Sequence, residues 1–295
     1  MQKFFLTIFT ILVVAFIFLA SASPSPPLTH SIVISPVIPT SLSLAGEEVP
    51  LESFGVIEAL DKEFIINTYR HSSTILYLKR AARWFPLIEP ILAEHGVPDD
   101  FKYLAVIESG LSQVVSPAGA SGFWQFMKKT APEYDLEVST TVDERYHVEK
   151  STRAACIYLL KSYEQFGSWS LAAASYNMGR AGVSNRLKEQ GVSSYWDLHL
   201  NAETARYVYR MIALKEVLSR PGDYGFKLTP SDLYSPHDTR VINVSSTISD
   251  LSVFALEQGS NLHELKSLNP WLRKSSLTVA AGSSYDLLLP NTVME

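Results

Sequence analysis

With 295 residues, 46% of them hydrophobic, the chain is long enough for one large domain or two modest ones and can bury a sizeable core. Its 25 Lys+Arg stand against 30 Asp+Glu, a mildly acidic balance with no run of like charge and no basic stripe, which excludes a nucleic-acid partner held through phosphates. The single cysteine, Cys156, cannot close an intrachain disulfide. It lies in "RAACIYLLKSY" and reads as a small buried hydrophobe.

The first 23 residues carry Lys3, an apolar run from Phe4 to Ala20, and Ser21-Ala22-Ser23. This is the pattern of a secretory signal peptide cut after Ala22, which predicts export to the cell envelope, into the periplasm. A retained membrane anchor is the alternative, because the run is almost long enough to span. Residues 23–54 are Ser/Pro-rich and predict a flexible tether. Residues 55–222 predict a mainly α domain. "VIEALDKEFIINTYRHSSTILYLKRAARWFPLIEPILAEHGVP" has helical apolar spacing and stops at Gly96-Val97-Pro98. Asp99 or Asp100 is expected to cap a helix carrying "FKYLAVIES", and Thr141 or Asp143 to open another through "VEKSTRAACIYLLKSYEQFG". "SWSLAAASYNMG" and "ETARYVYRMIALKEVLSRPG" complete the helices. Residues 223–237 look like a linker, and 238–295 predict a small strand-helix-helix-strand unit, separable from the helical domain.

Glu108 interrupts the apolar helix "YLAVIES". Burial there would raise its pKa and keep it protonated near neutral pH, the state a general acid needs. Behind it, Gly110, Gly119 and Gly122 allow backbone to approach a ligand closely. Phe123, Trp124 and Phe126 offer flat faces for sugar rings, although packing beneath a groove suits Trp124 and Phe126 at least as well. Ser116, Gln125, Tyr176 and Asn177 offer hydrogen bonds. The residues alone suggest a glycosidase-like site.

"ESGLSQVVSPAGASGFWQFMKKTA", "AAASYNMG" and "NAETARYVYRMIALKEVL", in that order, resemble the signature of the lytic murein transglycosylases of the soluble-lytic-transglycosylase fold, which is related to goose-type lysozyme. "SSYWDLHL" resembles their membrane-bound lytic murein transglycosylase D branch. The resemblance covers about residues 85–220 and implies a lysozyme-like helical domain. It implies Glu108 as the catalytic acid, with Ser116, Gln125, Met127, Tyr176, Asn177 and Glu203 binding substrate. For Glu203, an acid placed at a helix start by the dipole is nearly as good a reading. The sequence departs from the family pattern at Ser112-Gln113, Phe123, Lys128 and Ser175, and none of these removes a reacting group.

The implied substrate is the glycan strand of peptidoglycan, cut at the MurNAc-β-1,4-GlcNAc bond. Glu108 serves as acid and then base, giving a 1,6-anhydroMurNAc end. No metal and no cofactor is implied. The C-terminal unit resembles a degenerate LysM domain, with Ser246-Thr247-Ile248 where Gly-Asp-Thr usually stands. Glycan binding and a vestigial cap both remain open for it. Rival readings are a muramidase that uses water and a non-catalytic glycan-binding scaffold.

Overall fold

Apolar residues at helical spacing from Val56 onward form two consecutive helices, α1 (Phe54–Tyr69) and α2 (His71–Glu94), in the computed structural model, which describes residues 33–291. The leader assigned to residues 1–22 lies outside the described residues. Arg70, at φ −82° and ψ 57°, leaves the helical region and separates the two axes. Across this break the Thr74 hydroxyl donates to the Asn67 carbonyl at 2.6 Å. The stop at Gly96 is a left-handed turn (φ 69°), and the Val97 amide returns to the Leu92 carbonyl at 2.9 Å.

A short turn, Asp99–Phe101, leads into α3 (Lys102–Ser109), whose residues Tyr103 to Ile107 are all buried. Neither Asp99 nor Asp100 caps it through its side chain. Asp100 instead accepts from the Ala45 amide and from Lys215 Nζ, each at 2.7 Å, and so fastens the N-terminal segment to the helices. That segment is less of a tether than its composition predicts. From Leu42 it packs into the core, and a small hairpin pairs β1 (Ser43–Leu44) with β2 (Glu47–Glu48). The Glu47 carboxylate then accepts from the Ser170 amide at 3.0 Å, at the first turn of a later helix. An acid there satisfies amides that the helix itself leaves open.

The remaining helices of this half are α4 (Val148–Phe166), α5 (Trp169–Met178), α6 (Arg180–Gln190) and α7 (Ala202–Ser219). The expected cap of α4 is displaced by a few residues. Asp143 caps the short turn Glu144–Tyr146, and His147 caps α4 itself. α3 packs between α2 and α7, with Phe101, Leu104, Trp124, Leu159 and Met211 in the same core. Cys156 is fully buried there, and burial pushes its thiol up to about 12, so it is inert at neutral pH. Among the described residues, no helix is long and apolar enough to cross a membrane.

The C-terminal unit follows the expected order: β3 (Thr239–Val244), α8 (Leu251–Glu257), α9 (Leu262–Leu268) and β4 (Tyr285–Pro290). The strands are antiparallel, with Thr239 opposite Pro290 and Val244 opposite Tyr285. Its docking was not legible in the sequence. The Asp143 amide donates to the Trp271 carbonyl at 2.9 Å, and the Arg273 amide to the Thr141 carbonyl at 2.8 Å. Val142 and Tyr146 belong to the core of the C-terminal unit, and Arg273 lies over the Tyr146 ring at 4.2 Å. The stretch read as a linker also packs: the Tyr234 amide bonds Lys79, and Arg83 donates to the Ser235 carbonyl at 2.8 Å.

Truncation after residue 237 therefore strips a packed face from the helical half. Uncovering Val142 and Tyr146 costs about 3 kcal/mol or more of burial. The truncated chain is expected to melt several degrees below the full chain in calorimetry. An unchanged melting temperature for the helical half would show that the two halves are independent.

Candidate active site

Glu108 stands in the last turn of α3, and the two residues that follow Ser109 are both left-handed, Gly110 at φ 60° and Leu111 at φ 53°. They reverse the chain and leave the acid beside a cavity of about 400 Å³, lined by Tyr77, Arg80, Ile107, Ser112 and Val114 among others. Gly110 is required twice over. Its φ disfavours a side chain, and a Cβ there would stand 2.8 Å from the Tyr77 ring. Arg80 closes the same corner by donating to the Gly110 carbonyl at 2.9 Å.

The carboxyl of Glu108 accepts a hydrogen bond from the Tyr207 hydroxyl, which α7 brings across from the other side. Burial dominates its electrostatics and raises its pKa to about 7. The Tyr207 bond and the positive charge of Arg210 pull the pKa down, while the negative charge of Glu203 pushes it up. Tyr207 in turn is held neutral, its hydroxyl pushed well above the usual value by burial first and then by Glu108. The direction of the shift is the one expected from burial.

Tyr176 and Asn177, at the end of α5, lie in the same neighbourhood. Burial and then the Glu108 charge push the Tyr176 hydroxyl well above its usual pKa. That hydroxyl donates to the Trp124 carbonyl at 2.8 Å, so its proton is committed to holding the loop rather than offered to a ligand. Asn177 Nδ2 donates to Glu203 at 3.3 Å, and Asn177 Oδ1 accepts from the Thr204 hydroxyl at 2.7 Å. Glu203 is exposed at the start of α7, where Asn201 is the cap. It is both a helix-start acid and an electrostatic neighbour of Glu108.

The loop from Gly110 to Met127 departs from the expected sugar platform. Phe123, Trp124 and Phe126 are buried, at 1%, 0% and 4% exposure, so their faces meet protein. Trp124 donates from its indole nitrogen to the Thr152 hydroxyl at 2.8 Å. Gly122 brings backbone close to backbone, not to a ligand: a Cβ there would lie 1.9 Å from the Arg145 carbonyl oxygen. Arg145 is itself buried, paired with Asp143 at 2.7 Å, and its guanidinium donates to the carbonyls of Gly119 and Phe126. Ser116 accepts from the Ala120 amide at 3.0 Å, and Gln125 donates to the Gly122 carbonyl at 2.7 Å. Gln125 sits at φ 50°, a conformation a non-glycine residue adopts only when its surroundings hold it there. Met127 is exposed. Among the described residues, none of Ser116, Gln125 and Met127 hydrogen-bonds Glu108; the first two shape the loop that stands behind it.

Sequence reasoning missed Tyr207 and Arg210. Both lie in a segment singled out for its motif, and the signal was spacing. Positions 203, 207 and 210 fall within about 60° on a helical wheel, so one face of α7 presents an acid, a phenol and a cation together.

Residues 87–199 match the transglycosylase SLT domain, and residues 240–293 match the soluble lytic transglycosylase C-terminal LysM-like domain. The chain thus carries an SLT transglycosylase domain followed by a LysM-like domain. It is 28% identical over 249 residues to the membrane-bound lytic murein transglycosylase D of Escherichia coli strain K12, and equally to that of strain O6:H1. Each alignment covers 81% of this chain and 53% of the relative, so the chain spans about half the length of the curated relatives it matches. A solved structure of an inactive mutant of lytic transglycosylase Slt from Pseudomonas aeruginosa is 20% identical, covers 51% of this chain and 26% of its own, and has a TM-score of 0.38.

Two outcomes follow from the electrostatics. A Glu108 pKa raised from 4.5 to about 7 means the neutral acid is the form the fold tolerates. Its stability is fully present below pH 4.5 and is lost as pH rises through about 7. Glu108→Gln is therefore expected to unfold like wild type at pH 4 and to be more stable by about 3 kcal/mol at pH 8, in paired denaturant titrations. A gap that does not change with pH would contradict the raised pKa. Tyr207→Phe removes a donor that favours the carboxylate, so the Glu108 pKa is expected to rise further, by about one unit. The acid-dependent limb of a pH–activity profile should move to higher pH; a shift to lower pH would show that the bond favours the neutral form.

Proposed function

We propose that the chain is a lytic transglycosylase that cuts the MurNAc-β-1,4-GlcNAc bond of peptidoglycan glycan strands and leaves 1,6-anhydroMurNAc ends. The observation that carries this reading is the placing of Glu108 in its cavity, with Glu203 near enough to be felt as charge but tied to Asn177 and outside the lining. Glu108 is the one carboxyl among the described residues lining its cavity, and its proton is retained to about pH 7. A scheme with two carboxylates needs the second one free to face the cleaved bond, whereas Glu203 is outside the cavity lining and accepts from Asn177. A single group serving as acid and then base needs no such partner.

In the proposed reaction, Glu108 donates its proton to the glycosidic oxygen as the bond from C1 to that oxygen breaks. The Tyr207 hydroxyl, already bonded to the carboxyl, stabilises the carboxylate that results. The carboxylate then takes the proton of the C6 hydroxyl as that oxygen bonds C1. The acid is regenerated, and no water is consumed. Glu203 and Asn177 support the groove beside the reacting group. The matching domains and the relatives' names support the substrate class. The name of the Escherichia coli relative also supports a place in the cell envelope, consistent with the exported leader read from residues 1–22.

Glu108→Gln keeps the shape of the side chain and removes both proton transfers. Its release of anhydro ends from purified sacculi is expected to fall by roughly 10⁴-fold or more, since general acid–base catalysis is worth about 10²–10⁴-fold and both steps use this group. Mass spectrometry of the muropeptides reads the result. Reducing-end MurNAc from wild type would reassign the chain as a hydrolase. Residual turnover in the variant would place the acid elsewhere.

A further inference from the structure

The Glu108 cavity has a polar wall that the proposed reaction does not use. Ser73, Tyr77 and Arg80 of α2 all line it. At steps of four and three residues they fall within about 60° on a helical wheel, so one face of α2 sets a hydroxyl, a phenol and a guanidinium in a row. Leu76, Ile107 and Val114 make the lining around them largely apolar.

The fold uses only part of Arg80. Its Nη1 donates to the Gly110 carbonyl at 2.9 Å, which fixes the plane of the guanidinium. None of the ion pairs among the described residues includes it. Arginine carries five N–H donors, and two along one edge can hold a carboxylate through parallel bonds. The side chain is half-buried, so a ligand in the cavity can reach it. Charge points the same way. Besides the phenol, Arg80 and Glu108 are the ionisable groups of the lining, and Glu108 holds its proton to about pH 7. The wall therefore offers a positive charge to a ligand, in a recess where it is screened less than in bulk water.

We propose that the Ser73–Tyr77–Arg80 face holds a carboxylate carried on the O3 substituent of the muramyl sugar, with Arg80 donating to it as a fork and the Tyr77 hydroxyl adding a further bond. The lactyl acid and the free carboxylates of a stem peptide share this chemistry. The inference rests on the glycan-strand reading above. It makes Arg80 a specificity-determining residue, one that separates a muramyl strand from a neutral N-acetylated polymer.

The full chain carrying Glu108→Gln is titrated by calorimetry with three forms of one GlcNAc–MurNAc tetrasaccharide: lactyl groups as free acids, lactyl groups capped as methylamides, and lactyl groups bearing stem peptides. An acidic form is expected to bind about tenfold more tightly than the methylamide. Tightening by the free acid assigns the lactate, and tightening by the peptide-bearing form alone assigns the peptide. Arg80→Gln, added to that background, should cut the preference to about twofold or less, and Arg80→Lys should restore part of it as a point charge. Loss of the Gly110 contact alone would weaken all three ligands alike and leave the preference intact. If Arg80→Gln fails to fold, Tyr77→Phe removes one hydroxyl and should cut the preference about threefold. Equal affinity for the three forms overturns the assignment. So does a preference that survives Arg80→Gln, or that survives Tyr77→Phe where the first variant does not fold. An Arg80-dependent preference, in a chain whose wild type releases no anhydro ends, would leave this site standing and remove the reaction.

Discussion

The site depends on a carboxyl held out of water. A helix that buries five consecutive residues, Tyr103 to Ile107, also carries Glu108 into low dielectric, where the charged form is costly. Left alone, burial would drive the pKa so high that the group gave a proton poorly and could not persist as a carboxylate after giving it. The Tyr207 bond and the charge of Arg210 counter this and leave the value near the middle of the physiological range. The acid is thus tuned by opposing influences from two helices, and that balance suits the acid-then-base role proposed for it.

Holding α3 against α7 to the accuracy such a hydrogen bond needs is a task for the rest of the fold. The loop behind Glu108 is fixed by buried pieces. Arg145 pins the carbonyls of Gly119 and Phe126, Gly122 rests on the Arg145 backbone, and Tyr176 holds the Trp124 carbonyl. The same short segment, 141–147, is gripped from outside by Trp271 and Arg273 of the C-terminal unit. A continuous path of hydrogen bonds therefore runs from the LysM-like unit to the loop that carries Gln125, so the unit has a structural part beside any glycan it binds.

Much of this was legible in residue pattern. An acid set in an apolar helix announced a perturbed carboxyl, and the βααβ order of the C-terminal unit followed from its strand-like and helical stretches. The roles of the aromatic loop residues were not legible, because a tryptophan that packs under a groove and one that lines it have the same sequence. Gly122 likewise showed that backbone approached something closely without showing that the something was Arg145. The packing of the stretch read as a linker was hidden by composition, since Tyr234 meets Lys79 and Arg83 of α2 through polar and cation–π contacts that a solvated linker's residues could equally make. Tyr207 was within reach of a helical-wheel argument.

The central claim is that the fold keeps a proton on Glu108 into the neutral range. Carbon-detected NMR of the glutamate side-chain carboxyls, with the Glu108 signal assigned by its loss in Glu108→Gln, measures this directly. The account predicts a titration midpoint near 7 for that one carboxyl. A midpoint near the ordinary 4.5 would contradict it, because the group would then be a carboxylate at working pH with no proton to give.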